Sequence, residues 1–243
     1  MKQRVICYYM SKYETYLQTS SDRNHISAAI AVNGAGEKLN SVYCFKGVER
    51  CNNGTTGDDS LPYLECQRDT RFHLSYVLTE KGYFTDETYL KVIEELLISI
   101  PDDGMWRILI VDGFGPHVLN YRALRMLYER KIECVCLPAH TSHLLQMLDV
   151  SCFSPAKKYF KYELSLANFL FGTDRLTQWH MPCLFEGVLN DRLSAETIRA
   201  GFRETGIIPF NPNWVQENMH KLAPSLVHRH KEESQDWGDN LLL

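Results

Sequence analysis

The chain has 243 residues, a net charge of −4 and a hydrophobic fraction of 44%. This length and composition predict one sizeable globular domain. The slightly acidic balance gives no overall basic field for nucleic acid, although a nuclease site, which is itself acidic, remains compatible with it. The longest apolar runs are far shorter than the roughly 20 residues of a membrane helix, so we expect no membrane span and no membrane partner.

The eight cysteines of the chain indicate a reducing compartment. The N-terminal stretch MKQRVICYYMSKYE has only a short apolar patch followed by charge, which is not the pattern of a secretory signal. We therefore expect free thiols and a location in the cytosol or nucleus.

The first predicted elements form a β-hairpin. Two short apolar runs, 26–33 and 41–47, are joined by the glycine-rich turn GAGE. The polar segment 48–70 is predicted to be a loop or insertion. The segment 84–100, FTDETYLKVIEELLISI, places apolar residues at helical spacing, and its Thr85 is a favourable helix cap.

A strand, a helix and another strand come next along the chain. RILIVDG (107–113) and IECVCLP (132–138) are apolar runs typical of strands buried on both faces, and 118–130 has the pattern of a helix. This alternation predicts an α/β fold with a mixed or largely parallel sheet and crossover helices.

The remainder of the chain is predicted to be mostly helical. Ser154 and Pro155 are suited to open a helix that runs to about 168. Ser194 is suited to cap a helix that runs to about 204, with Gly206 beyond its end. The polar stretch from about 224 is expected to be poorly ordered.

Two aspartates are candidates for a site. Asp112 ends a predicted strand, and ligands of open α/β sheets bind at the carboxyl ends of strands. Asp149 precedes the helix opened by Ser154, and the intervening chain could return it to the same edge of the sheet. Carboxylates that meet in a cleft usually hold a cation such as Mg²⁺ or Mn²⁺, an arrangement that cuts phosphodiesters. A turn aspartate and an exposed or capping aspartate are the alternative interpretations.

Three segments resemble a known family: LIVDGFGPHV (109–118), CLPAHTSHLLQMLDVSCFSPAKKYF (136–160) and ETIRAGFRETGIIPFNP (196–212). In order and spacing they are similar to the DDE superfamily endonuclease domain of pogo-like transposases, the group of the Tigger and jerky proteins and centromere protein B. The segment ISAAIAVNGAGEKL (26–39) fits the hairpin of that family.

The resemblance implies an RNase H-like α/β fold, a mixed sheet flanked by helices, over residues 26–212. An N-terminal remnant (1–25) would precede this domain and a partly disordered tail (213–243) would follow it. The resemblance also implies that Asp112 and Asp149 are catalytic and bind Mg²⁺ or Mn²⁺. It implies a DNA partner, no small-molecule substrate and a location in the nucleus.

The sequence departs from the family at the first catalytic aspartate. The family places that residue on a strand upstream of the position of Asp22, and this chain is expected to begin too late to include it. The segment RVICYYM (4–10) could supply that strand but has no Asp, so we expect the first catalytic strand to be missing or degraded. Glu14 and Asp22 are the nearby acids that could provide a third carboxylate, and catalysis is expected to be impaired.

Cysteines and histidines close to the two acids raise zinc as an alternative. Cys134 and Cys136 share one face of a predicted strand and are expected to be core thiols. The spacing C-x-C-x₃-H-x₂-H is too tight for a zinc finger. His117, His140 and His143 are instead candidates near the acids, where a histidine could hydrogen-bond a carboxylate or phosphate, or simply brace a loop.

Three lysines on one predicted helix, Lys157, Lys158 and Lys161, could contact a nucleic-acid backbone or form an ordinary solvated face. The aromatic residues of that helix are expected to be packing residues rather than to stack on bases, namely Tyr159, Phe160 and Tyr162. Two functions therefore remain open: an enzyme that nicks DNA with a third carboxylate, and a catalytically inactive, domesticated module that binds nucleic acid or protein.

Overall fold

The structure is a computed structural model that describes residues 4–13, 26–47, 74–113, 119–138, 141–171 and 180–218. In this part of the chain, six strands form one sheet in the order β4-β3-β2-β1-β5-β6. The strands are β1 (Arg4–Tyr13), β2 (Ile26–Asn33), β3 (Ser41–Lys46), β4 (Leu74–Thr79), β5 (Arg107–Val111) and β6 (Ile132–Cys136).

The sheet is mixed. β2 pairs antiparallel with both β1 and β3, as expected for the predicted hairpin. β5 runs parallel to β1 on one side and to β6 on the other, and β4 runs parallel to β3. The predicted α/β class with a mixed sheet is confirmed.

Helices cover both faces of this sheet. They are α1 (Asp86–Ile98), α2 (Tyr121–Glu129), α3 (Ser142–Leu145), α4 (Phe153–Phe171), α5 (Met181–Arg192), α6 (Ala195–Glu204) and α7 (Trp214–Glu217). A π-helical turn, Leu148–Cys152, leads directly into α4. None of the described helices is long and apolar enough to cross a membrane.

Successive side chains of β2 enter two separate hydrophobic cores. Ala28 and Ile30 pack in a cluster with residues of the π-turn, α4, α5 and α6. Ala29 and Ala31 pack in a second cluster with α1 and α2. Because side chains alternate across a strand, this uninterrupted apolar run fills both layers at once.

One half of the expectation for the first strand, missing or degraded, is corrected, because the segment RVICYYM (4–10), which could supply that strand, forms β1. β1 occupies the centre of the sheet, where Ile6–Tyr13 pair with Ile26–Asn33 of β2 and Arg4–Cys7 pair with Arg107–Ile110 of β5. Its β-branched and aromatic residues are strong strand formers. The segment 4–13 is therefore part of the same sheet as 26–47, and it contains no acidic residue.

The position of β6 corrects a second expectation. The sequence predicted a strand buried on both faces, but β6 is the last strand of the sheet, and Glu133, Val135 and Cys136 are exposed. Cys136 is therefore a surface thiol, whereas Cys134 is half-buried. Composition alone does not reveal whether an apolar strand has a neighbour on each side.

The start of the helix at Ser154 is a third correction. α4 begins at Phe153 as a continuation of the π-turn, so Ser154 is not a cap. By contrast, Thr85 caps α1 by accepting from the Thr88 amide, and Ser194 caps α6 by accepting from the Thr197 amide at 3.2 Å. The predicted loop at 48–70 and the tail from 224 lie outside the described residues.

Candidate functional site

Asp112 lies at the carboxyl end of β5, directly after Val111, and is half-buried. Its backbone carbonyl accepts a hydrogen bond from the thiol of Cys136 at 3.5 Å. Cys136 ends β6, the parallel neighbour of β5. Asp112 thus lies where two parallel strands end side by side, which is where open α/β sheets place ligands.

Tyr89 of α1 is electrostatically coupled to Asp112. Burial raises the pKa of the Tyr89 phenol far above its usual range, and negative charge at Cys134 and Asp112 raises it further. Tyr89 therefore remains protonated at any physiological pH. The sequence predicted Tyr89 only as part of the apolar face of a helix. The helical spacing of apolar residues does not indicate that the Tyr89 phenol lies near Asp112.

Asp149 is part of the π-turn between α3 and α4 and is half-buried. Its amide and that of Val150 both donate to the carbonyl of Gln146 at 3.0 Å. The turn lies just ahead of Pro155, which has no N–H to offer the Ser151 carbonyl and whose ring crowds that carbonyl in a regular helix. The wider π-turn provides room there, and such turns occur frequently at functional sites.

The third family-like segment packs directly on this turn. Gly201 of α6 lies so close to the turn that a side chain there would meet Ser151 and Met147. Phe202 is buried, whereas Arg199 and Arg203 are exposed, as predicted. The π-turn that contains Asp149 therefore packs against α6.

One hydrophobic cluster links the two acids. Ile110, two residues before Asp112, packs against the cluster that contains Leu148, the residue before Asp149. Both acids therefore border the same layer of the fold. Their carboxylate oxygens are the donors that Mg²⁺ and Mn²⁺ prefer. Among the described residues, no group of three or more His, Cys, Asp or Glu side chains could hold a metal ion.

The histidine candidates fall largely beyond what the structure describes. His117 and His140 lie outside the described residues, and His143 belongs to α3 without a described side chain. Their predicted roles stay predictions. The same holds for Glu14 and Asp22, the possible sources of a third carboxylate.

The three lysines are exposed on α4, the helix that follows Asp149: Lys157, Lys158 and Lys161. Phe160 is buried and Tyr159 packs under the guanidinium of Arg192, 3.6 Å from the ring centroid, as expected for packing residues. Tyr162 is 60% exposed, and its ring centroid lies 5.9 Å from that of Tyr159. An exposed aromatic next to lysines is compatible with nucleic-acid contact.

Comparison with known proteins assigns this arrangement to a family. The family model for "DDE superfamily endonuclease" matches residues 23–185, well over half of the chain. The chain belongs to the DDE superfamily endonucleases. It carries a transposase-derived endonuclease domain, and both Asp112 and Asp149 lie within the matched stretch.

One curated relative of this chain is a protein of Cochliobolus lunatus named "MFS-type transporter clz9". The two are 28% identical over 145 residues, which is 58% of this chain and 16% of that protein. The chain thus spans only a small part of the length of that relative.

Proposed function

We propose that this chain is a pogo-like, RNase H-like domain that binds DNA in the nucleus and in which Asp112 and Asp149 bind a divalent cation. Family membership supports a DNA partner and divalent-metal chemistry. The mixed sheet with helices on both faces supports the RNase H-like interpretation. The shared hydrophobic layer beneath the two acids supports their acting together.

The donor set fits one Mg²⁺ or Mn²⁺ ion. Such ions are commonly bound by one or two carboxylates together with waters and phosphate oxygens. When bound, the ion would neutralise phosphate charge and activate a hydroxyl or water for strand cleavage. Asp112 and Asp149 would orient the ion, because each is anchored by a backbone that packing and hydrogen bonds hold in place.

We further propose that strand cleavage and transfer are impaired in this chain. One observation supports this most directly. β1 is the parallel neighbour of β5, the strand that ends at Asp112, yet RVICYYMSKY contains no carboxylate. A pair of ions needs a bridging ligand between them, and β1 provides no carboxylate for that role. Two acids alone would therefore hold a single ion, and less firmly than three acids would. Glu14 and Asp22 are the acids nearest in sequence to β1.

A catalytically inactive module that binds nucleic acid is the second candidate. The exposed lysines of α4 favour it, since contacts with phosphate require positive charge but not a complete set of metal ligands. Under this alternative, the fold and the basic helix persist while the cleavage chemistry does not.

Nicking of supercoiled plasmid in Mn²⁺ or Mg²⁺ tests these proposals. We expect slow, metal-dependent nicking by the wild type that Asp112→Ala and Asp149→Ala both abolish, with circular dichroism showing that all three proteins are folded. Metal-independent nicking, or nicking unaffected by the two substitutions, would exclude the proposed site. A folded wild type that binds plasmid without nicking it would favour the inactive module.

A further inference from the structure

The contact between α6 and the π-turn depends on a glycine. A Cβ atom at Gly201 would lie 2.9 Å from the terminal methyl of Met147, 3.1 Å from the Met147 backbone carbonyl oxygen, and closer still to the Ser151 hydroxyl. Ser151 itself donates to the same carbonyl at 3.4 Å. The Ser151 hydroxyl and the Met147 methyl end flexible side chains and can rotate away from a side chain at this position. The Met147 carbonyl oxygen belongs to the backbone of the turn, so it must shift by a few tenths of an ångström to reach an ordinary contact distance.

α6 cannot simply move away from the turn. Two residues before Gly201, Arg199 donates two hydrogen bonds, at 3.0 and 2.7 Å, to the carbonyl of Ala35 in the β2–β3 turn. Gly36, whose φ is +93°, approaches Ala195 so closely that a Cβ there would lie 2.7 Å from the Ala195 carbonyl oxygen. The helix is thus held between the hairpin and the π-turn.

The π-turn is the more easily displaced of the two partners. The hairpin belongs to the sheet, whose strands are joined by continuous backbone hydrogen bonding. The turn is a single wide turn in which the amides of Asp149 and Val150 share one acceptor, Gln146. Displacement of the Met147 carbonyl would therefore move Asp149, which follows it by two residues.

We propose that Gly201 is the positioning residue for Asp149: its lack of a side chain lets α6 fix the π-turn, and with it Asp149. This inference rests on the proposed function for its chemical meaning. Gly201 lies beyond the family-matched stretch, which ends at residue 185. It touches the turn rather than any substrate, so its effect on a metal site would act through Asp149 alone.

Gly201→Ala is the test, and Gly187→Ala is its matched control. Gly187 is also helical, in α5, but nothing lies within 4 Å of a Cβ placed there. Both substitutions add one methyl group and improve helix propensity by the same amount. Any difference between the variants therefore reports the contact at the turn. The first readout is amide hydrogen exchange of residues 146–152 without metal, and the second is Mn²⁺ affinity by electron paramagnetic resonance.

We expect Gly201→Ala to accelerate exchange across 146–152 by about 10-fold or more while β2 and β3 stay protected. We expect its Mn²⁺ affinity to fall by about 10-fold, the effect typical of groups that orient a metal ligand. Gly187→Ala should change neither quantity. Adding Ser151→Ala to Gly201→Ala should restore part of both losses, because it removes the nearest obstructing atom.

Unchanged exchange at 146–152 in Gly201→Ala would overturn the inference, whatever the protein binds. Equal acceleration in Gly187→Ala would also overturn it. If exchange responds as expected but the wild type binds no Mn²⁺, the positioning of the turn stands and the proposed metal site fails. The two proposals are therefore separated by one set of variants.

Discussion

The ammonium group of Lys38 lies 2.5 Å from a carboxylate oxygen of Glu186, a side chain that is only 1% exposed. The other carboxylate oxygen accepts from the Tyr43 hydroxyl at 2.8 Å. This ion pair joins the hairpin to α5 next to Tyr43, which belongs to the same hydrophobic cluster as Leu148 of the π-turn. Removal of the Glu186 side chain would leave the Lys38 ammonium and the Tyr43 hydroxyl without this acceptor.

Glu186→Ala should lower the free energy of unfolding by about 3–5 kcal/mol, the usual effect of breaking a buried ion pair. Urea unfolding would measure it. Glu129→Ala is the control, because Glu129 pairs with Arg125 at a similar distance, 2.8 Å, but on the surface of α2. Its effect should stay within about 1 kcal/mol. Equal losses in both variants would contradict the structural role given to Glu186.

An acid placed on β1 should increase nicking. The parallel register pairs Cys7 with Ile110, so its continuation puts Tyr9 level with Asp112. Tyr9→Asp would add a carboxylate beside the proposed metal ligand, and we expect Mn²⁺-dependent nicking to rise by at least about 10-fold. Tyr8→Asp adds the same charge on the opposite face of the strand and should not increase nicking. A folded Tyr9→Asp variant with unchanged nicking would show that the lack of an acid on β1 does not limit cleavage.

The lysines of α4 should contribute to DNA affinity through phosphate contacts. Replacing Lys157, Lys158 and Lys161 together by Ala should weaken binding and reduce the dependence of log K on log salt by about 2–3, since each lost contact removes about 0.9 from the slope. Fluorescence anisotropy at several salt concentrations would measure both effects.

The control for this experiment is Arg122→Ala with Arg125→Ala. Both arginines are exposed on α2, which packs on the opposite face of the sheet from α4. Their removal lowers the positive charge without touching the proposed surface. A similar loss of affinity in this variant would mean that DNA binding reflects overall charge rather than the helix that follows Asp149.

The stability of the protein should fall in alkaline solution. Burial raises the pKa of the thiols of Cys44 and Cys152 from 9.0 to about 11. The folded protein keeps these protons where the unfolded chain releases them, so this contribution is complete below pH 9 and is lost as the pH rises through about 11. Cys152→Ala should flatten the decline in urea stability over this range, whereas Cys136→Ala, at an exposed thiol, should leave it unchanged.

The sequence was sufficient for features that depend on neighbouring residues. The hairpin, the caps at Thr85 and Ser194, and the glycine beyond α6 each arise from short-range chemistry. Gly206 has a φ of +67° and lies so close to the Trp214 side chain that a Cβ would overlap it. Helix caps and positions with a positive φ strongly favour a few residue types, so the presence of those residues predicts them.

Features that depend on distant partners escaped prediction. The central position of β1 depends on its pairing with β2 and β5, so the sequence left open whether this strand is missing or degraded. The exposure of Cys136 depends on the position of β6 at the edge of the sheet that the described strands form. The π-turn at Asp149 depends on Pro155 together with the packing of α6. For the site itself, motifs located the acids, but only the fold brought Tyr89 and Gly201 to them.

The central position of β1 also makes the sheet vulnerable to proteolysis or truncation at its N-terminal end. Without residues 4–13, β2 and β5 would each expose a row of unpaired amide and carbonyl groups where the sheet now continues. Exposed strands of this kind recruit strands from other molecules, and both are rich in aliphatic residues. A shortened form of the protein would therefore accumulate as aggregates rather than as a smaller domain.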